Sequence, residues 1–390
     1  MRKALRAAAI AVLVLSAGVP VEAGTVRTIP GRAVFVNANR PSGNEIVVLH
    51  RTPSGKLLRL ASVPTGGRGS GVGERNPPDP LGAQGGLVLT DDGRWLLAVN
   101  AGSDQISAFR VVGGIPRRTD VVASGGDYPL SIAARGDRVF VLNGAGRPSI
   151  VGFRLSARGQ LLRTPGSTRR LATVTPAIRR QPDIANGPSQ LAFSPDGNFL
   201  VVTDKNLDAR PGTIEVFRVL ADGSLSAGST ITPSSDATPF GFTFDRKGHL
   251  IVTEAALGVL ATYDIRADGS LELLSRVPTN RCDGFACSEP CWVDLSRSFA
   301  FTSNTSSNDI ASFRIGLDGR ATLVETVAAT TARNPLDLSV SGDGRWLHVL
   351  SGTDGVVEVF FVEPITGSLT RTDRIQLFEP LAGPAGLAAE

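Results

Sequence analysis

The 390-residue sequence predicts an all-β fold, a seven-bladed β-propeller closed by its own C-terminal strand. Three observations predict it. An apolar strand that ends in a polar residue recurs seven times, an aromatic residue or leucine marks the strand that follows, and a turn glycine comes five to seven residues later. Repeats of about 50 residues with about four short strands each are typical of propeller blades. The 44 glycines and 25 prolines also argue against a helix-rich fold.

Each marker can be read along the chain. The polar residues that end the first strand of each copy are Asn37, Asn100, Asn143, Asp204, Glu254, Asn304 and Ser351. The aromatic or leucine markers are Leu49, Phe109, Phe153, Phe217, Tyr263, Phe313 and Phe360. The turn glycines are Gly55, Gly114, Gly159, Gly223, Gly269, Gly319 and Gly367, between 45 and 64 residues apart. Since all three recur in the same order, a β-sandwich with coincidental spacing is the weaker interpretation.

A further strand precedes most copies and starts with proline, which a strand tolerates at its first residue. The prolines are Pro129, Pro188, Pro239, Pro290 and Pro335. The first copy lacks this leading strand, but residues 383–388 (Gly-Pro-Ala-Gly-Leu-Ala) are similar to residues 187–192 (Gly-Pro-Ser-Gln-Leu-Ala). We therefore predict that the C-terminal strand pairs into the N-terminal blade and closes the ring, which leaves no long open edge.

Residues 1–23 are typical of a secretory signal peptide, and residues 24–390 are expected to form the single propeller domain. Arg2, Lys3 and Arg6 precede an apolar stretch at residues 7–15, and small residues lie near a cleavage point after Ala23. The stretch is too short to span a bilayer, so no membrane span is expected. A buried N-terminal helix is the alternative. The signal predicts a periplasmic or secreted protein.

The net charge and the cysteine content indicate which kinds of partner, disulfide and metal site to expect. Removing residues 1–23 takes away three positive charges and one negative charge, so the net charge falls from +4 to +2. There is no dense run of basic residues with interleaved aromatics, so nucleic acid is not an expected partner. For an exported protein we expect a Cys282–Cys287 disulfide, with Cys291 left over. Free thiols and a zinc site are the alternatives, and no histidine lies close enough in sequence to favour zinc. No cofactor or metal motif is present in the sequence.

When the proline-led strand is counted as the first strand of a blade, the strand with the polar end residue is the second. The site is expected where this second strand ends, because the proline-led strands begin on that face and their loops surround the central channel. We predict Asp204, Lys205 and Glu254 as catalytic residues. The predicted ligand-binding residues are Gln190, Asn100, Asn143, Asn304, Trp292 and Arg333. For the asparagines the alternative is structural, since asparagine often ends strands by bonding its own turn backbone. The long connections 65–84 and 172–187 are candidate functional loops on this face, or surface excursions.

With its recurring Ser-Pro-Asp-Gly and Phe-Arg-Val-x-x-Asp-Gly-Ser-Leu motifs, the sequence resembles the seven-bladed lactonase family, which includes 6-phosphogluconolactonase and carboxymuconate cyclase. The likeness is carried by residues 187–204, 214–225, 239–244 and 310–319. The resemblance implies lactone opening or closure without a metal, by histidine, arginine and a carboxylate near the channel. Where the family has Arg-His after a Gly-Pro, this chain has Ser189 and Gln190.

Two functions of different kinds follow from the sequence. The first is an exported lactone hydrolase in which Asp204 or Glu254 activates water, while Lys205 or Arg333, with Gln190, stabilises the developing oxyanion. The second is a non-catalytic periplasmic or secreted propeller that binds a small molecule or a protein partner. In both cases we expect a monomer.

Overall fold

The computed structural model describes residues 31–71, 79–172, 186–207, 211–279 and 288–390. The expected signal peptide and the expected Cys282–Cys287 disulfide lie outside these residues. The described chain is built almost wholly from strands, with two single 3-10 turns at Ala101–Ser103 and Ala255–Leu257. None of the helical segments in the described ranges has the length and apolar character that crossing a membrane requires.

The strands form seven antiparallel sheets, one for each repeat. Blade 1 takes β1 (Ala33–Asn37), β2 (Glu45–Arg51) and β3 (Leu57–Pro64). Blade 2 is formed by β4 (Leu87–Leu89), β5 (Trp95–Asn100), β6 (Gln105–Val112) and β7 (Ile115–Ala123). Blade 3 is formed by β8 (Asp127–Arg135), β9 (Arg138–Ala145), β10 (Ser149–Leu155) and β11 (Leu161–Arg163). The short β12 (Arg169–Arg170) also pairs with β10.

The later blades repeat the same order. Blade 4 is formed by β13 (Asn186–Phe193), β14 (Phe199–Asn206), β15 (Thr213–Arg218) and β16 (Thr230–Pro233). Blade 5 is formed by β17 (Pro239–Phe244), β18 (Leu250–Glu254), β19 (Val259–Ile265) and β20 (Leu271–Pro278). Blade 6 is formed by β21 (Pro290–Ser296), β22 (Phe299–Asn304), β23 (Asp309–Ile315) and β24 (Ala321–Thr330). Blade 7 is formed by β25 (Pro335–Val340), β26 (Trp346–Ser351), β27 (Val356–Val362) and β28 (Leu369–Gln376).

The last strand, β29 (Leu387–Ala389), is the innermost strand of blade 1. It pairs antiparallel with β1, Val34 opposite Ala389 and Val36 opposite Leu387. The inner strands β4, β8, β13, β17, β21 and β25 contact one another in sequence around the channel, and β29 touches both β25 and β4. The seven-bladed propeller and its closure by the C-terminal strand are therefore confirmed.

The core lies between blades, because each sheet presents apolar side chains to both of its neighbours. In β2, for example, Val47 and Leu49 pack toward blade 7, whereas the alternating Ile46 and Val48 pack toward blade 2. All four side chains are fully buried. The near-continuous apolar runs that defined the repeats in the sequence thus reflect strands buried on both faces.

The residue before each strand-leading proline has a left-handed backbone, with φ of 56° at Tyr128, 60° at Thr238 and 48° at Glu289. This conformation is strained for a β-branched residue such as Thr238. It turns the carbonyl group toward the end of the neighbouring strand, where the Thr238 oxygen accepts the Ala255 amide at 3.0 Å. The kink fixes how each proline-led strand enters the channel face on which the predicted site lies.

Candidate functional site

The central channel contains a cavity of about 300 Å³. It is lined by the inner strands of all seven blades, including Gln190, Phe242, Asp294 and Asp337. The lining alternates apolar side chains with a few polar groups, as small-molecule sites do. The end of the channel at which the second strands finish is called the channel mouth below.

Residues 79–86, called the plug segment below, lie across the channel mouth. The Lys205 ammonium donates a hydrogen bond to the Gly82 carbonyl oxygen at 2.5 Å. The Trp292 indole Nε1 donates to the Ala83 carbonyl oxygen at 3.2 Å. A segment that leads into blade 2 is therefore held by side chains from blades 4 and 6.

Gln84 and Tyr128 anchor the same segment. The Gln84 amide donates to the Ser189 carbonyl oxygen at 3.0 Å, and its side chain exchanges two hydrogen bonds with the Val293 backbone at 2.9 and 3.2 Å. The Tyr128 hydroxyl donates to the Pro80 carbonyl oxygen at 2.5 Å. Tyr128, Lys205 and Trp292 thus place three side-chain donors from three blades on backbone carbonyl oxygens of one segment.

Lys205 occupies an aromatic corner of the channel mouth and is 1 % exposed. Its ammonium nitrogen lies 4.7 Å from the centroid of the Phe240 ring, which packs edge-on against Trp292 with ring centroids 5.0 Å apart. Cys291 is a buried free cysteine beside them, and burial raises the pKa of its thiol. A cation over an aromatic face in a desolvated site is attracted to the ring and polarises nearby carbonyl groups.

Gln190, which we predicted to bind ligand, clamps two blades together. Its side-chain amide donates to the Phe242 carbonyl oxygen at 3.0 Å and accepts the Phe242 amide at 2.6 Å. Both of its polar groups are therefore used between the inner strands of blades 4 and 5. Gln190 lines the cavity, but most of the hydrogen-bonding capacity of its side chain is used by these contacts within the protein.

Two aspartates that line the cavity, and that the sequence analysis did not single out, act in the same way. The Asp294 carboxylate accepts the Val340 amide at 2.8 Å, which joins blades 6 and 7. The Asp337 carboxylate accepts the Leu387 amide at 2.8 Å, which joins blade 7 to the C-terminal strand. Burial raises the pKa of Asp294 to about 6 and that of Asp337 well above its usual range. A signal existed in the sequence, since Asp337 stands two residues after a strand-leading proline, as Gln190 does.

Glu254 lies at the boundary between blades 4 and 5 and is fully buried. Its Oε1 accepts the Ser235 amide at 3.1 Å, the Ser235 hydroxyl at 3.0 Å and the Tyr263 hydroxyl at 3.1 Å. Its Oε2 has no hydrogen-bond partner in the described part of the chain. Burial raises the pKa of Glu254 to about 8, so the carboxyl group is mostly protonated at neutral pH.

The asparagines of the predicted polar ring are buried rather than open to solvent. The Asn100 amide is bonded to Asn44, Thr65 and Ser107. The Asn304 amide is bonded to Thr302 and Asp309. In contrast, both amide atoms of Asn143 are buried without a hydrogen-bond partner among the described residues. Asp204 is 2 % exposed beside Lys205 in β14.

Arg333 lies at the rim of blade 7. Its guanidinium group makes an ion pair with Asp354 at 2.6 Å, and its side chain is 68 % exposed. No hydrogen bond in the described ranges links Arg333 or Glu254 to the plug segment. Of the predicted residues, Lys205 and Trp292 therefore meet at the channel mouth and Gln190 lines the cavity, whereas Glu254 and Arg333 do neither. Nor do the described ranges contain a group of three or more histidine, cysteine, aspartate or glutamate residues that could hold a metal ion.

A known family matches this chain. The family model described as Lactonase, 7-bladed beta-propeller, matches residues 160–256 and 251–382. The chain belongs to this lactonase family. The matched residues include Asp204, Lys205, Glu254 and Trp292. No curated protein matches the sequence.

Solved structures share the whole fold. A candidate 6-phosphogluconolactonase from Bacteroides fragilis is 19 % identical, with a TM-score of 0.68 over 92 % of this chain and 98 % of that one. The periplasmic gluconolactonase of Pseudomonas aeruginosa is 19 % identical, with a TM-score of 0.67 over 91 % of this chain and 98 % of that one. At these identities the likeness establishes the propeller architecture of the lactonase-family chain.

Proposed function

We propose that this lactonase-family propeller is an exported hydrolase of a non-phosphorylated sugar-acid lactone, with its site at the channel mouth. The observation that supports it is the buried ammonium group of Lys205, which is directed at a carbonyl oxygen of the plug segment. Lactone hydrolysis is accelerated by a fixed hydrogen-bond donor or positive group at the carbonyl oxygen, where negative charge develops. Tyr128 and Trp292 add hydrogen-bond donors to carbonyl oxygens in the same place.

In this proposal Lys205 releases the Gly82 carbonyl oxygen and binds the carbonyl oxygen of the lactone. Asp204 accepts a proton from the water molecule that attacks the carbonyl carbon. When the ring C–O bond breaks, Asp204 returns that proton to the leaving oxygen. Glu254, bonded to Ser235 and Tyr263 away from the channel mouth, has no step in this proposal. The plug segment occupies the position that a substrate takes, so it must be displaced before a lactone binds.

Three features favour a substrate without a phosphate group. The positions after Gly187-Pro188 hold Ser189 and Gln190, and Gln190 is committed to the Phe242 backbone. Arg333, the other cation predicted for the site, is paired with Asp354 at the rim. A phosphorylated lactone carries two further negative charges that Lys205 alone would have to offset. The signal peptide predicted at residues 1–23 also directs the protein away from the cytosolic sugar phosphates.

The purified protein should hydrolyse D-glucono-δ-lactone faster than its 6-phosphate when proton release is followed at neutral pH. Lys205→Met should lower kcat about 100-fold or more, the usual effect of removing one oxyanion-stabilising donor. Lys247→Met is the matched control, because Lys247 also donates to a backbone carbonyl oxygen, that of Leu317 at 2.7 Å, on an exposed surface. No turnover of any lactone, or equal turnover in both variants, would refute the proposal.

A second candidate function is that of a non-catalytic binding propeller, and the plug segment favours it. The donors of Tyr128, Lys205 and Trp292 are already bound to that segment. Calorimetry with gluconate distinguishes the two functions, since a binding protein would release heat with gluconate and show no lactone turnover. Export is tested by fusing residues 1–30 to alkaline phosphatase, which becomes active only outside the cytoplasm.

A further inference from the structure

Three basic side chains lie at the seam between blades 7 and 1, at the end of the propeller opposite the channel mouth. Arg32 precedes β1, Arg51 ends β2, and His348 lies within β26. Arg51 is 3 % exposed and His348 is fully buried. Arg32 Nη1, Arg51 Nε and His348 Nε2 are each buried without a hydrogen-bond partner among the residues that the structure describes. Such groups normally find a partner, because leaving one buried and unpaired is costly.

Backbone pairing and a ring contact place the three side chains in the same seam. The Arg51 amide donates to the Arg32 carbonyl oxygen at 2.9 Å, so the two residues are neighbours across strands. The Arg51 guanidinium carbon lies 4.6 Å from the centroid of the Trp346 ring in blade 7. His348 follows Trp346 by two residues and therefore lies on the same face of β26, toward blade 1. Burial, with the Arg51 charge as a further cause, lowers the pKa of His348 to about 3.

No carboxylate of the described chain neutralises the two guanidinium groups within ion-pair distance. Asp343, the acidic residue beside them, accepts the Ser341 hydroxyl at 2.6 Å and the Arg345 amide at 3.0 Å. The Glu390 carboxylate accepts the backbone amides of residues 31–33 at 2.9 to 3.2 Å. A buried guanidinium group, Arg51, beside the half-buried Arg32 and without an ion-pair partner destabilises the folded state unless an anion from solution joins them.

The hydrogen-bonding capacity of the three nitrogen atoms specifies the anion. His348 Nδ1 lies 3.2 Å from the Ser339 carbonyl oxygen, which can only accept, so Nδ1 carries the proton. His348 Nε2 therefore offers a lone pair and needs a donor, whereas the two arginines need acceptors. Monohydrogen phosphate supplies both, through its charged oxygens and its single hydroxyl group. Sulfate and chloride have no proton to donate at neutral pH.

We propose that the seam between blades 7 and 1 is a binding site for inorganic phosphate. Arg32 and Arg51 donate to the phosphate oxygens, and the phosphate hydroxyl donates to His348 Nε2. The site is distinct from the channel mouth and does not depend on the proposed lactonase activity. Because the anion joins the first blade to the last, its binding stabilises the closed ring.

The test is thermal unfolding and calorimetry of the full chain in phosphate, sulfate or chloride at matched ionic strength. Above its dissociation constant, each tenfold increase in phosphate should raise the unfolding midpoint by about 2 °C for a chain of this size. Sulfate and chloride should give less than half of that shift. In Arg51→Gln the phosphate-dependent shift and the heat of binding should disappear, and His348→Phe should reduce the preference for phosphate over sulfate.

Arg314→Gln is the matched control. Its guanidinium carbon also lies 4.6 Å from an aromatic centroid, that of Phe299, but the group donates to the Ile365 carbonyl oxygen at 3.1 Å. This variant should keep the full phosphate shift. Arg32→Gln replaces Arg51→Gln if the latter does not fold. Absence of a phosphate shift in the wild type, an unchanged shift in the arginine variant, or equal shifts with all three anions would overturn the proposal.

Discussion

Removing residues 384–390 should destabilise the whole propeller, because these residues supply the innermost strand of blade 1. The truncation deletes β29 and exposes the inner edge of β1. It also removes the partner of the Asp337 carboxylate, which accepts the Leu387 amide at 2.8 Å. The buried side chains of Leu387 and Ala388 are lost with the strand.

The size of the effect follows from these contacts. Burial of Leu387 contributes about 2 kcal/mol, and Ala385 with Ala388 about 1 kcal/mol. Three backbone hydrogen bonds outside the strand register, those of Asn37 with Gly386 and Ala385 and that of Glu390 with Ala33, add about 3 kcal/mol. The bond from the Leu387 amide to the buried Asp337 side chain adds about 2 kcal/mol, because its loss leaves that side chain without this partner. The total of about 8 kcal/mol is comparable with the whole stability of a typical protein.

Thermal and denaturant unfolding of the two chains, followed by tryptophan fluorescence, measures this loss. For a chain of this size the truncation should lower the unfolding midpoint by about 10 °C. Glu390→Ala is the control, since it removes only the carboxylate that accepts the amides of residues 31–33 and leaves β29 in place. It should lower the midpoint by about 1–2 °C. Equal midpoints for the truncated and full chains would show that β29 contributes nothing to ring closure.

Three further predictions concern Glu254, Gly241 and the cysteines. The folded state holds the Glu254 carboxyl neutral up to a pKa of about 8, above the unfolded value of 4.5, so its stabilisation is complete below pH 4.5 and is lost between pH 4.5 and 8. Urea unfolding at pH 5 and pH 8 should therefore show a decline to which Glu254 contributes up to about 4 kcal/mol. Glu254→Gln should remove that part and leave the part due to Asp294 and Asp337, and an identical decline in the variant would contradict the prediction. A side chain at Gly241 would collide with the plug segment and the Cys291 carbonyl oxygen, so Gly241→Ala should displace that segment. Acrylamide should then quench the fluorescence of the buried Trp292 more strongly, and unchanged quenching would count against the prediction. In the native protein a thiol reagent should label no cysteine, because Cys291 is buried and Cys282 and Cys287 are expected to be bridged. Labelling of two thiols without denaturant would refute the bridge.

The fold could be predicted because its evidence is local and repeated. Each blade carries its own strand, turn and glycine signals, so an error in one copy is corrected by the other six. The closure by β29 could be predicted for the same reason, since residues 383–388 match the leading strand of another copy. The family resemblance drawn from the same texture is likewise confirmed.

The site could be predicted only in part, because it is built where the repeats are broken. The plug segment belongs to no repeat, and nothing in its composition indicates that its carbonyl groups meet Lys205 and Trp292. Gln190 has the right position for a ligand contact, but its side-chain amide is bonded to the Phe242 backbone in the neighbouring inner strand. The sequence does not show how closely that strand lies. Arg333 makes an ion pair with Asp354, and the two residues are brought together only by the folding of the rim of blade 7.

The closed ring brings the two ends of the described chain into contact, with the Gly31 amide 2.9 Å from the Glu390 carboxylate. A circular permutant that joins residue 390 to residue 31 and starts at residue 384 would therefore keep every strand in place. In that order each sheet would be made from one contiguous stretch of sequence. Blades 1 and 7 would then be held together by non-covalent contacts alone, and the permuted ring should open first at that junction. The natural order prevents this, because the sheet of blade 1 combines the first and the last strand of the described chain, so the backbone itself links blade 7 to blade 1.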